Sequence, residues 1–340
     1  MRIGVLSDFR AANTVYRAVP VVRLAQRGHE IVLDRGGEGG DHAALRGCDV
    51  VHVYRYASPA VQRLARELRA RGTAVVWDID DDVSCVPDEM VDRHRRGGLQ
   101  EQRLLRETTA MALLADVVTT TSEPIAARYR ALGAACVAVV PNFLPDEFAA
   151  VRPRPRDGDE GRVTIGWVAS AEHQHDRERL GLDALLRTLL ERRPEVRVAS
   201  VGIRFDLPRD RYAHTLVVQP AALPQEIASF DVGIAPLYDS PFNRARSDVK
   251  VKEYAAVGVP WLASPTGPYA GLGERQGGRL VADDRWLEAL DRLAGRARER
   301  RRLAKRAARW GAQQTVSRNL GAWEAAMEEA VARARRRGSG

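Results

Sequence analysis

Short apolar runs alternate along this chain with longer segments of helical periodicity, and this alternation restricts the fold more than any other feature of the sequence. Apolar strands separated by helices predict parallel sheets with helices on both faces, which is the α/β class. In the first half the runs are Ile3–Leu6, Ile31–Leu33, Val50–Val53, Ala74–Trp77, Asp116–Thr120 and Cys136–Val140. The helical segments there are Val15–Gln26, Pro59–Arg71 and Glu101–Leu114. Pro20 predicts a kink or a late start in the first helix.

The alternation is interrupted once, at VRPRPRDGDEG over residues 151–161, where prolines, charges and glycine replace the apolar period. It restarts with strands at Val163–Val168, Val196–Gly202, Thr215–Val218, Asp231–Pro236, Trp261–Ala263 and Arg279–Val281, and a helix at Leu180–Arg192. We therefore predict two doubly wound, Rossmann-like domains at residues 1–151 and 162–318, with a linker at 152–161 and a final helix and tail at 319–340. We expect the ligand at the carboxyl ends of the strands and between the domains.

Composition argues against several other classes. No run of about 18 apolar residues exists, so no transmembrane helix is expected. The opening MRIGVLSDFR lacks the apolar stretch of a secretory signal, so we expect a cytoplasmic protein. Cys48, Cys85 and Cys136 are widely spaced and odd in number, which favours reduced thiols over a disulfide frame or a zinc site. The glycine motifs of dehydrogenases and P-loop kinases are missing.

The net charge is +8, and much of it lies in GRARERRRLAKRAARW at residues 295–310. Leu293, Ala297, Ala304 and Ala307 keep an apolar stripe there while arginines cover the rest, which predicts an amphipathic helix. We interpret it first as a solvated helix and second as a surface for peripheral contact with anionic lipid. No stacking aromatic or nucleic-acid module accompanies the charge, so we expect no nucleic-acid partner.

The most informative single segment is FDVGIAPLYDSPFNRARSDVKVKEYAAVGVPWLAS, at residues 230–264. Its pattern predicts a strand, a polar loop, a helix opened at Ser247 and closed by Gly258, and a second strand. A helix N-terminus that follows a strand binds phosphate well, because its free N–H groups and its dipole favour an anion. Lys250 and Glu253 lie about one turn apart on that helix, which suits a sugar nucleotide. The plainer alternative is a surface ion pair worth a few tenths of a kcal/mol.

This segment closely resembles the donor-binding region of group 1 glycosyltransferases, which are retaining enzymes of GT-B fold and carry E-Y-A-A-x-G-x-P on the helix. The resemblance implies that Glu253 bonds the ribose hydroxyls of a nucleotide-sugar donor. The family often has a sugar-contacting glutamate eight positions earlier, where this chain has Ala245. In place of this glutamate, the residues expected to contact the sugar are Asn243, Arg244, Arg246 and Ser247. The family's usual pair of phosphate-contacting cations is not evident either, and we expect Arg246 and Lys250 to bind the diphosphate instead.

A second stretch, GWVASAEHQHD at residues 166–176, is similar to the family's G-W-x-G-S-x-x-H-x-x-D, with Ala169 where glycine is common. Small residues after a strand allow a phosphate to approach the backbone closely. The resemblance implies that Gly166, Ser170 and His173 bind the donor. The plainer alternative leaves His173 and His175 as solvated loop residues.

Four acidic residues crowd the end of the fourth predicted strand: Asp78, Asp80, Asp81 and Asp82. Like charges at this spacing repel, so a cation, sugar hydroxyls or backbone N–H groups must compensate them. Asp78-x-Asp80 imitates the D-x-D of metal-dependent glycosyltransferases, which would suit Mg²⁺ or Mn²⁺. The second half offers a complete donor site without metal, so we predict no metal. The GT-B relatives that this chain resembles carry a D-x-D-D loop at this strand end that faces the cleft. The resemblance therefore implies that Asp80 and Asp81 act, as catalytic residues, on the acceptor or the reacting sugar.

The acceptor face is predicted from DFRAANTVYR, after the first strand, where many relatives carry a glycine-rich loop. Its candidates are Asp8, Arg10, Asn13 and Tyr16. Arg10 and Arg17 are either cations for an anionic acceptor or ordinary loop and helix residues. Weaker candidates are Tyr54, Arg55, Tyr56 and Asn142.

We therefore expect a GT-B glycosyltransferase that moves a sugar from a nucleoside diphosphate to an acceptor hydroxyl, with no cofactor beyond that co-substrate. Arg246 and Lys250 would stabilise the departing diphosphate. The family implies retention of configuration, and a final helix, Leu320–Arg335, that crosses back onto the N-terminal domain with Trp323 as its anchor. An envelope glycan, a lipid-linked glycan and a secondary metabolite all fit as acceptors, and the composition is typical of GC-rich bacteria. Two alternatives stay open, a sugar-nucleotide 2-epimerase on the same fold and a non-catalytic sugar-nucleotide-binding partner.

Overall fold

The computed structural model describes residues 1–9, 12–87, 98–151 and 161–338, which form two compact units. The first unit consists of Met1–Phe143, Ala245–Ser247 and Val316–Gly340. The second consists of Leu144–Arg244 and Asp248–Thr315. Arg10 and residues 152–160 of the predicted linker lie outside the described residues.

The first unit is built on a parallel sheet with the strand order β2-β1-β3-β4-β5-β6. Its strands are β1 (Arg2–Leu6), β2 (Glu30–Asp34), β3 (Val50–Tyr54), β4 (Ala74–Ile79), β5 (Val117–Thr120) and β6 (Val137–Val139). Its helices are α1 (Ala18–Val22), α2 (Pro59–Ala70), α3 (Gly98–Leu114), α4 (Glu123–Ala131) and, from the end of the chain, α13 (Val316–Gly338). In the register of the sheet, Ile3 on β1 lies between Ile31 on β2 and Val50 on β3.

The second unit has a parallel sheet with the order β12-β11-β10-β7-β8-β9. Its strands are β7 (Val163–Ala169), β8 (Val196–Gly202), β9 (Tyr212–Thr215), β10 (Val232–Ala235), β11 (Trp261–Ala263) and β12 (Gly278–Leu280). The helices of this part of the chain are α5 (Glu147–Ala150), α6 (Gln174–Arg179), α7 (Leu182–Arg192), α8 (Leu223–Ile227), α9 (Pro241–Ala245), α10 (Val249–Ala256), α11 (Trp286–Gly295) and α12 (Ala297–Gly311). Short 3-10 helices lie at Ala12–Val15, Arg23–Arg27, Gly37–Gly39, Ala43–Gly47, Ala171–His173, Gly267–Tyr269, Glu274–Gln276 and Asp283–Arg285.

The prediction of two parallel, doubly wound sheets is confirmed, and one predicted strand is wrong. The run at Thr215–Val218 does not form a strand, since β9 ends at Thr215. Leu216 and Val217 follow that end and are 71% and 75% exposed. Apolar residues in an exposed loop thus imitate the pattern of a buried strand.

Pro20 explains why the first helix begins late. α1 starts at Ala18, so the proline lies in the first turn, where its missing N–H costs no helical hydrogen bond. The rest of the predicted helical segment consists of a turn at Tyr16 and Arg17 and of short 3-10 helices before and after α1. Gly258 follows α10 with a φ of +75°, a left-handed conformation that glycine adopts without strain and that ends the helix as predicted.

Both faces of the first sheet are buried, and alternate residues along each strand serve opposite faces. One core contains Val51, Trp77 and Val118. The other contains Ile3, Val76 and the buried stripe of α13, whose members are Val316, Leu320, Trp323, Ala326, Met327, Ala330 and Ala334. The prediction that the final helix returns to the N-terminal unit with Trp323 as its anchor is therefore confirmed. In the described ranges, no helix has the length and apolarity needed to cross a bilayer.

Candidate functional site

Each sheet has one point where the strand order reverses, and open α/β sheets bind ligands beside that point, at the carboxyl ends of the strands. In the second unit the reversal lies between β7 and β10. In the first unit it lies between β1 and β3. The predicted donor residues lie at or after the ends of β7 and β10. The predicted acceptor residues follow β1, and the acidic residues lie at and after the end of β4.

Asp176, on α6 shortly after β7, is the centre of a buried hydrogen-bond network at the reversal point of the second unit. One carboxylate oxygen accepts from the backbone N–H of Tyr238 at 2.9 Å and from the side-chain amide of Asn243 at 2.7 Å. The other oxygen lies 2.8 Å from Nδ1 of His173. Because a carboxylate only accepts, His173 carries a hydrogen on Nδ1. The network thus fixes both the protonation of that nitrogen and the position of α9, the short helix that carries Asn243.

The structure therefore brings together two predicted donor residues, His173 and Asn243, and adds a third, Asp176. The alternative of a solvated histidine is wrong for His173, which is 3% exposed. His175 is also buried and packs edge-on against the ring of Tyr238. The signal for Asp176 in the sequence is its spacing of three from His173, which places the two side chains on one face of a helical turn.

Gly166 has a different setting from the one predicted. β7 continues to Ala169, so Gly166 lies within the strand and not after it. A Cβ atom at this position would lie 2.0 Å from the ring of Phe230. The space that the glycine leaves is filled by an aromatic ring and not by a phosphate, so we correct its role to packing. Ser170 is the first residue after the strand, and it is exposed.

The hydroxyl of Tyr254 connects α10 to both strands at the reversal point. It accepts from the N–H of Val168 on β7 at 3.1 Å and donates to the carbonyl of Ile234 on β10 at 2.8 Å. Gly233 leaves room for the ring, since a Cβ there would lie 2.5 Å from it. Burial raises the pKa of Tyr254 well above its ordinary value, so the hydroxyl keeps its proton. The sequence pattern did not single out this residue.

The helix α10 starts one residue later than predicted. Its N-cap residue is Asp248, and the prediction of Ser247 as the cap is wrong. The hydroxyl of Ser247 accepts a hydrogen bond from the side chain of Asn142 at 3.0 Å, within the first unit. Asp248 forms an ion pair with the buried Lys252 at 2.8 Å. A carboxylate here interacts favourably with the helix dipole, as a phosphate would.

Glu253 is buried on α10, and it is 1% exposed. Its Oε2 lies 3.5 Å from Nζ of Lys250, whose side chain is 20% exposed. The alternative of a surface ion pair is therefore wrong. A buried carboxylate is costly unless it is paired or hydrogen-bonded, so its presence favours a specific role. The assignment of Glu253 to a donor ribose stays a prediction.

Ala245 lies where the family often has a glutamate, and its surroundings explain the small side chain. It is 2% exposed and packs in the core of the first unit. Its carbonyl accepts from the hydroxyl of Ser122 at 2.6 Å. An unpaired carboxylate in such a core would be strongly destabilising. Arg246, the next residue, is half-buried.

Asp78 is fully buried, and its carboxylate is held by Arg17. Nε of Arg17 lies 2.9 Å from Oδ2 of Asp78, and Nη2 lies 2.5 Å from Oδ1. The hydroxyl of Thr119 donates to Oδ1 at 2.7 Å. Burial alone would raise the pKa of Asp78, but the Arg17 guanidinium and His52 together hold it well below its usual range. The D-x-D interpretation therefore fails, because Asp78 cannot reach a solvent-exposed metal.

Arg17 is buried as completely as its partner. It also donates to the carbonyl of Val140 and to the side chain of Asn142, and its guanidinium lies 4.6 Å from the ring centroid of Trp323. The interpretation of Arg17 as a cation for the acceptor is wrong, because no part of it reaches solvent. Its role is to join the start of α1 to β4 and α13.

Asp80 and Asp81 share one guanidinium, that of Arg55. Nε of Arg55 lies 2.5 Å from Oδ1 of Asp80, and Nη2 lies 2.5 Å from Oδ2 of Asp81. The hydroxyl of Tyr54 donates to Oδ2 of Asp80 at 2.9 Å. Burial and then the charge of Asp80 raise the pKa of Tyr54 far above its ordinary value, so this donor stays protonated.

Arg55 has a left-handed backbone, with a φ of +62°. This conformation costs about 1–2 kcal/mol for a residue with a side chain, and such strain collects at functional sites. Its own N–H bonds the carbonyl of Asp78 at 2.9 Å, which holds the turn. Arg55 is therefore a stronger site candidate than the sequence pattern suggests.

The other predicted acceptor residues lie near the end of β1. Asp8 is exposed two residues after the strand, and Asn13 is exposed in the following 3-10 helix. Tyr16 is half-buried, and its N–H bonds the carbonyl of Asn13 at 3.1 Å. Across the ranges that the structure describes, no three His, Cys, Asp or Glu side chains converge as a metal site would require.

No family model matches the chain, and no curated protein matches it. Among solved structures, sucrose-phosphate synthase from Thermosynechococcus elongatus is similar, with a TM-score of 0.64 and 16% identity over 100% of this chain and 99% of that one. The Anabaena protein HepE, in complex with UDP and glucose, has a TM-score of 0.62 and 15% identity over 96% and 99%. A Listeria monocytogenes protein assigned as a UDP-N-acetylglucosamine 2-epimerase has a TM-score of 0.58 and 12% identity over 96% and 97%.

At these identities the likeness shows the fold, which is the two-domain, Rossmann-like architecture of GT-B glycosyltransferases. Because the same architecture occurs in the Listeria monocytogenes protein, the chemistry must be argued from the site residues.

Proposed function

We propose that this protein is a glycosyltransferase that moves a sugar from a nucleoside diphosphate to an acceptor hydroxyl. The observation that carries the proposal is the Asp176 network, which holds His173 and Asn243 at a sheet reversal point. Tyr254 fixes α10 to the same point, and α10 carries Lys250 and Glu253. The complex of HepE with UDP and glucose supports a nucleotide-sugar ligand for this fold.

In this proposal Glu253 accepts hydrogen bonds from the ribose hydroxyls of the donor. His173 and Asn243 contact the donor sugar, with Ser170 and Ser247 as further donor contacts. Lys250 and Arg246 stabilise the negative charge that develops on the departing diphosphate. Asp80 and Asp81 act on the acceptor side together with Arg55, which both of them bind.

The reaction forms a bond between the acceptor oxygen and the anomeric carbon, and it breaks the bond between that carbon and the diphosphate oxygen. The nucleoside diphosphate leaves with the bonding electron pair, and its terminal phosphate takes the acceptor proton. When both events occur on one face of the sugar, the anomeric configuration is retained. This route needs neither a covalent enzyme intermediate nor a metal, since Asp78 is already committed to Arg17.

A cytoplasmic location is part of the proposal, and the three free thiols support a reducing compartment.

The epimerase alternative is favoured by the likeness to the Listeria monocytogenes protein. The non-catalytic alternative is favoured by Ala245, which removes an acid from the expected site.

Incubation with UDP-, GDP- and dTDP-sugars separates the three functions. Slow donor hydrolysis without an acceptor is the expected result, because water replaces the acceptor hydroxyl. Isomerised donor would establish the epimerase, and tight binding without turnover would establish the non-catalytic protein. Unchanged turnover in EDTA is expected, and its loss would contradict the metal-free route. Thermal shifts with the free nucleoside diphosphates would identify the base.

Glu253→Gln tests the donor site directly. Loss of a charge-assisted hydrogen bond should weaken nucleoside diphosphate binding at least about 10-fold. Glu191→Gln is the control, because Glu191 is exposed on α7. If calorimetry finds equal affinities for both variants, the donor assignment is wrong.

A further inference from the structure

The helix α12 presents a face made of cations. Arg298, Arg301, Lys305 and Arg309 follow one another at intervals of three, four and four residues, so they form a stripe along one side of the helix. We call these four exposed residues the cationic stripe. Leu303 and Ala307 lie on the opposite side and are 0% exposed. The side of the helix that carries Leu303 and Ala307 thus packs on the second unit, and the side that carries the cationic stripe is available to a partner.

Two other arginines of α12 have a counter-ion, whereas the members of the cationic stripe have none among the residues that the structure describes. Arg302 and Arg306 both bind Glu274, at 2.7 and 2.9 Å. The acid of the helix itself, Glu299, binds Arg279 at 2.7 Å and Arg292 at 3.2 Å. In the part of the chain that the structure describes, no carboxylate lies within ion-pair distance of any member of the cationic stripe.

Arg300 lies on the same helix beside the cationic stripe. Burial lowers the pKa of Arg300, and the charge of the neighbouring Arg301 lowers it further. The positions beside the cationic stripe include Ala297 and Ala308, which are also exposed. The face therefore has neither a large apolar side chain that would insert into a bilayer nor an aromatic ring that would stack on a base.

The shape of the cationic stripe fits a flat anionic surface. Eleven residues separate Arg298 from Arg309, which is about 16 Å of convex helix at 1.5 Å per residue. Guanidinium groups bind phosphate oxygens in pairs, and the four side chains reach outward from a single line. A membrane presents many phosphates in one plane, so all four cations can be neutralised at once.

We propose that the cationic stripe docks the second unit on a lipid surface that carries anionic headgroups. Each lysine or arginine near such a surface contributes about a fivefold gain in partitioning, so four together contribute several hundredfold. The contact is peripheral and electrostatic, and it weakens as salt screens the charges. It does not depend on the proposed transfer reaction, because it needs no sugar donor.

Co-sedimentation of the full chain with vesicles tests the proposal. The protein should bind vesicles of phosphatidylcholine mixed with phosphatidylglycerol, and not vesicles of phosphatidylcholine alone. A variant with Arg298→Gln, Arg301→Gln, Lys305→Gln and Arg309→Gln should bind at least about 100-fold more weakly. Glutamine is a good helix former, so circular dichroism and the melting temperature should stay unchanged.

The control variant removes the same charge elsewhere, through Arg63→Gln, Arg66→Gln, Arg106→Gln and Arg204→Gln. These arginines are exposed and lie outside α12. The control should retain most of the vesicle binding. An equal loss in both variants would mean that net charge acts without a defined surface, which overturns the proposal. It is also overturned if the wild-type chain ignores anionic vesicles, or if it binds a short nucleic-acid duplex more tightly at the same salt.

Discussion

The ion pair between Arg17 and Asp78 has no exposed side-chain atom. It joins the residue before α1 to β4, and Thr119 on β5 adds a hydrogen bond. A buried pair of this kind gains little net energy when formed, but removing one partner leaves an uncompensated charge in the core. The stability of the first unit therefore depends on single polar residues as well as on its apolar core.

Asp78→Asn should lower the free energy of unfolding of the first unit by about 3–5 kcal/mol, because Arg17 loses its counter-ion. Urea denaturation measures the change. Asp81→Asn is the control, since the side chain of Asp81 is 31% exposed and water can replace its contacts. A loss below about 1 kcal/mol in Asp78→Asn would show that the pair is dispensable.

The carboxylate of Asp78 also makes the stability of the first unit depend on pH. The folded-state pKa of Asp78 lies below its unfolded value of about 4, so its contribution is complete above that pH. It is lost as the pH falls toward the folded-state pKa. Urea midpoints of the wild type should therefore drop below about pH 4, and Asp78→Asn should lack this part of the slope. Parallel profiles for the two proteins would contradict the assignment.

Gly166→Ala tests whether this glycine serves packing. The new methyl group would collide with the ring of Phe230, and such overpacking costs about 1–3 kcal/mol. Combining it with Phe230→Leu should give a smaller loss than the sum of the single changes. Gly39→Ala is the control, because no atom lies within 4 Å of its added Cβ. Additive losses in the double variant would rule out this contact.

The end of α12 packs closely against α10, the helix that carries Lys250 and Glu253. A Cβ on Gly311 would lie 2.3 Å from the backbone nitrogen of Ala256 and 2.4 Å from the backbone carbon of Ala255. Neither atom can move unless a helix moves. The small side chain at the end of α12 therefore sets the spacing between the two helices.

Replacing glycine by alanine should have opposite effects on stability at two positions in helices, Gly311 and Gly321. Gly311→Ala should destabilise the second unit by about 1–3 kcal/mol, because the helices must separate. Gly321→Ala, on α13, should stabilise the first unit by about 0.5–1 kcal/mol, since its nearest neighbour is a flexible side chain at 3.9 Å and alanine favours a helix. Melting temperatures that shift in the same direction would refute this explanation.

The sequence predicts elements well because their signals are local. Periodicity identified both sheets, and Pro20 located the late start of α1. The wrong helix cap has another cause, because the partner of that residue is distant in sequence. Ser247 has the chemistry of a helix cap, but its hydroxyl bonds Asn142, 105 residues away.

In the candidate site, too, local features could be predicted and contacts between distant residues could not. The spacing of Lys250 and Glu253 predicts that they share one face of a helix, and the motif around His173 contains Asp176. The burial of Arg17 could not be predicted, because its partner Asp78 lies 61 residues away. The side chain of Arg55 binds Asp80 and Asp81, 25 and 26 residues away, and a local pattern does not connect these residues.

For the molecule as a whole, α13 closes a core that the first 143 residues leave open. Trp323 is 0% exposed and contacts both Arg17 and His52. Trp323→Ala should cost about 3–5 kcal/mol, and the loss should be confined to the first unit. Hydrogen exchange resolved by peptide measures this, with the second unit keeping its protection. Equal loss of protection in both units would mean that they unfold together.

Because α13 packs in the first unit, the two units complete their folding in a different order from their synthesis on the ribosome. The second unit is complete once residue 315 has emerged, whereas the first still lacks 316–338. At about 5–20 residues per second, the sheet face that includes Ile3 and Val76 stays partly exposed until the residues of α13 have been synthesised, although Ala18, Val21 and Leu24 pack on it earlier in the chain. The unit that is synthesised second is thus the one that finishes folding first, and the nascent chain must be protected from aggregation at its N-terminal sheet.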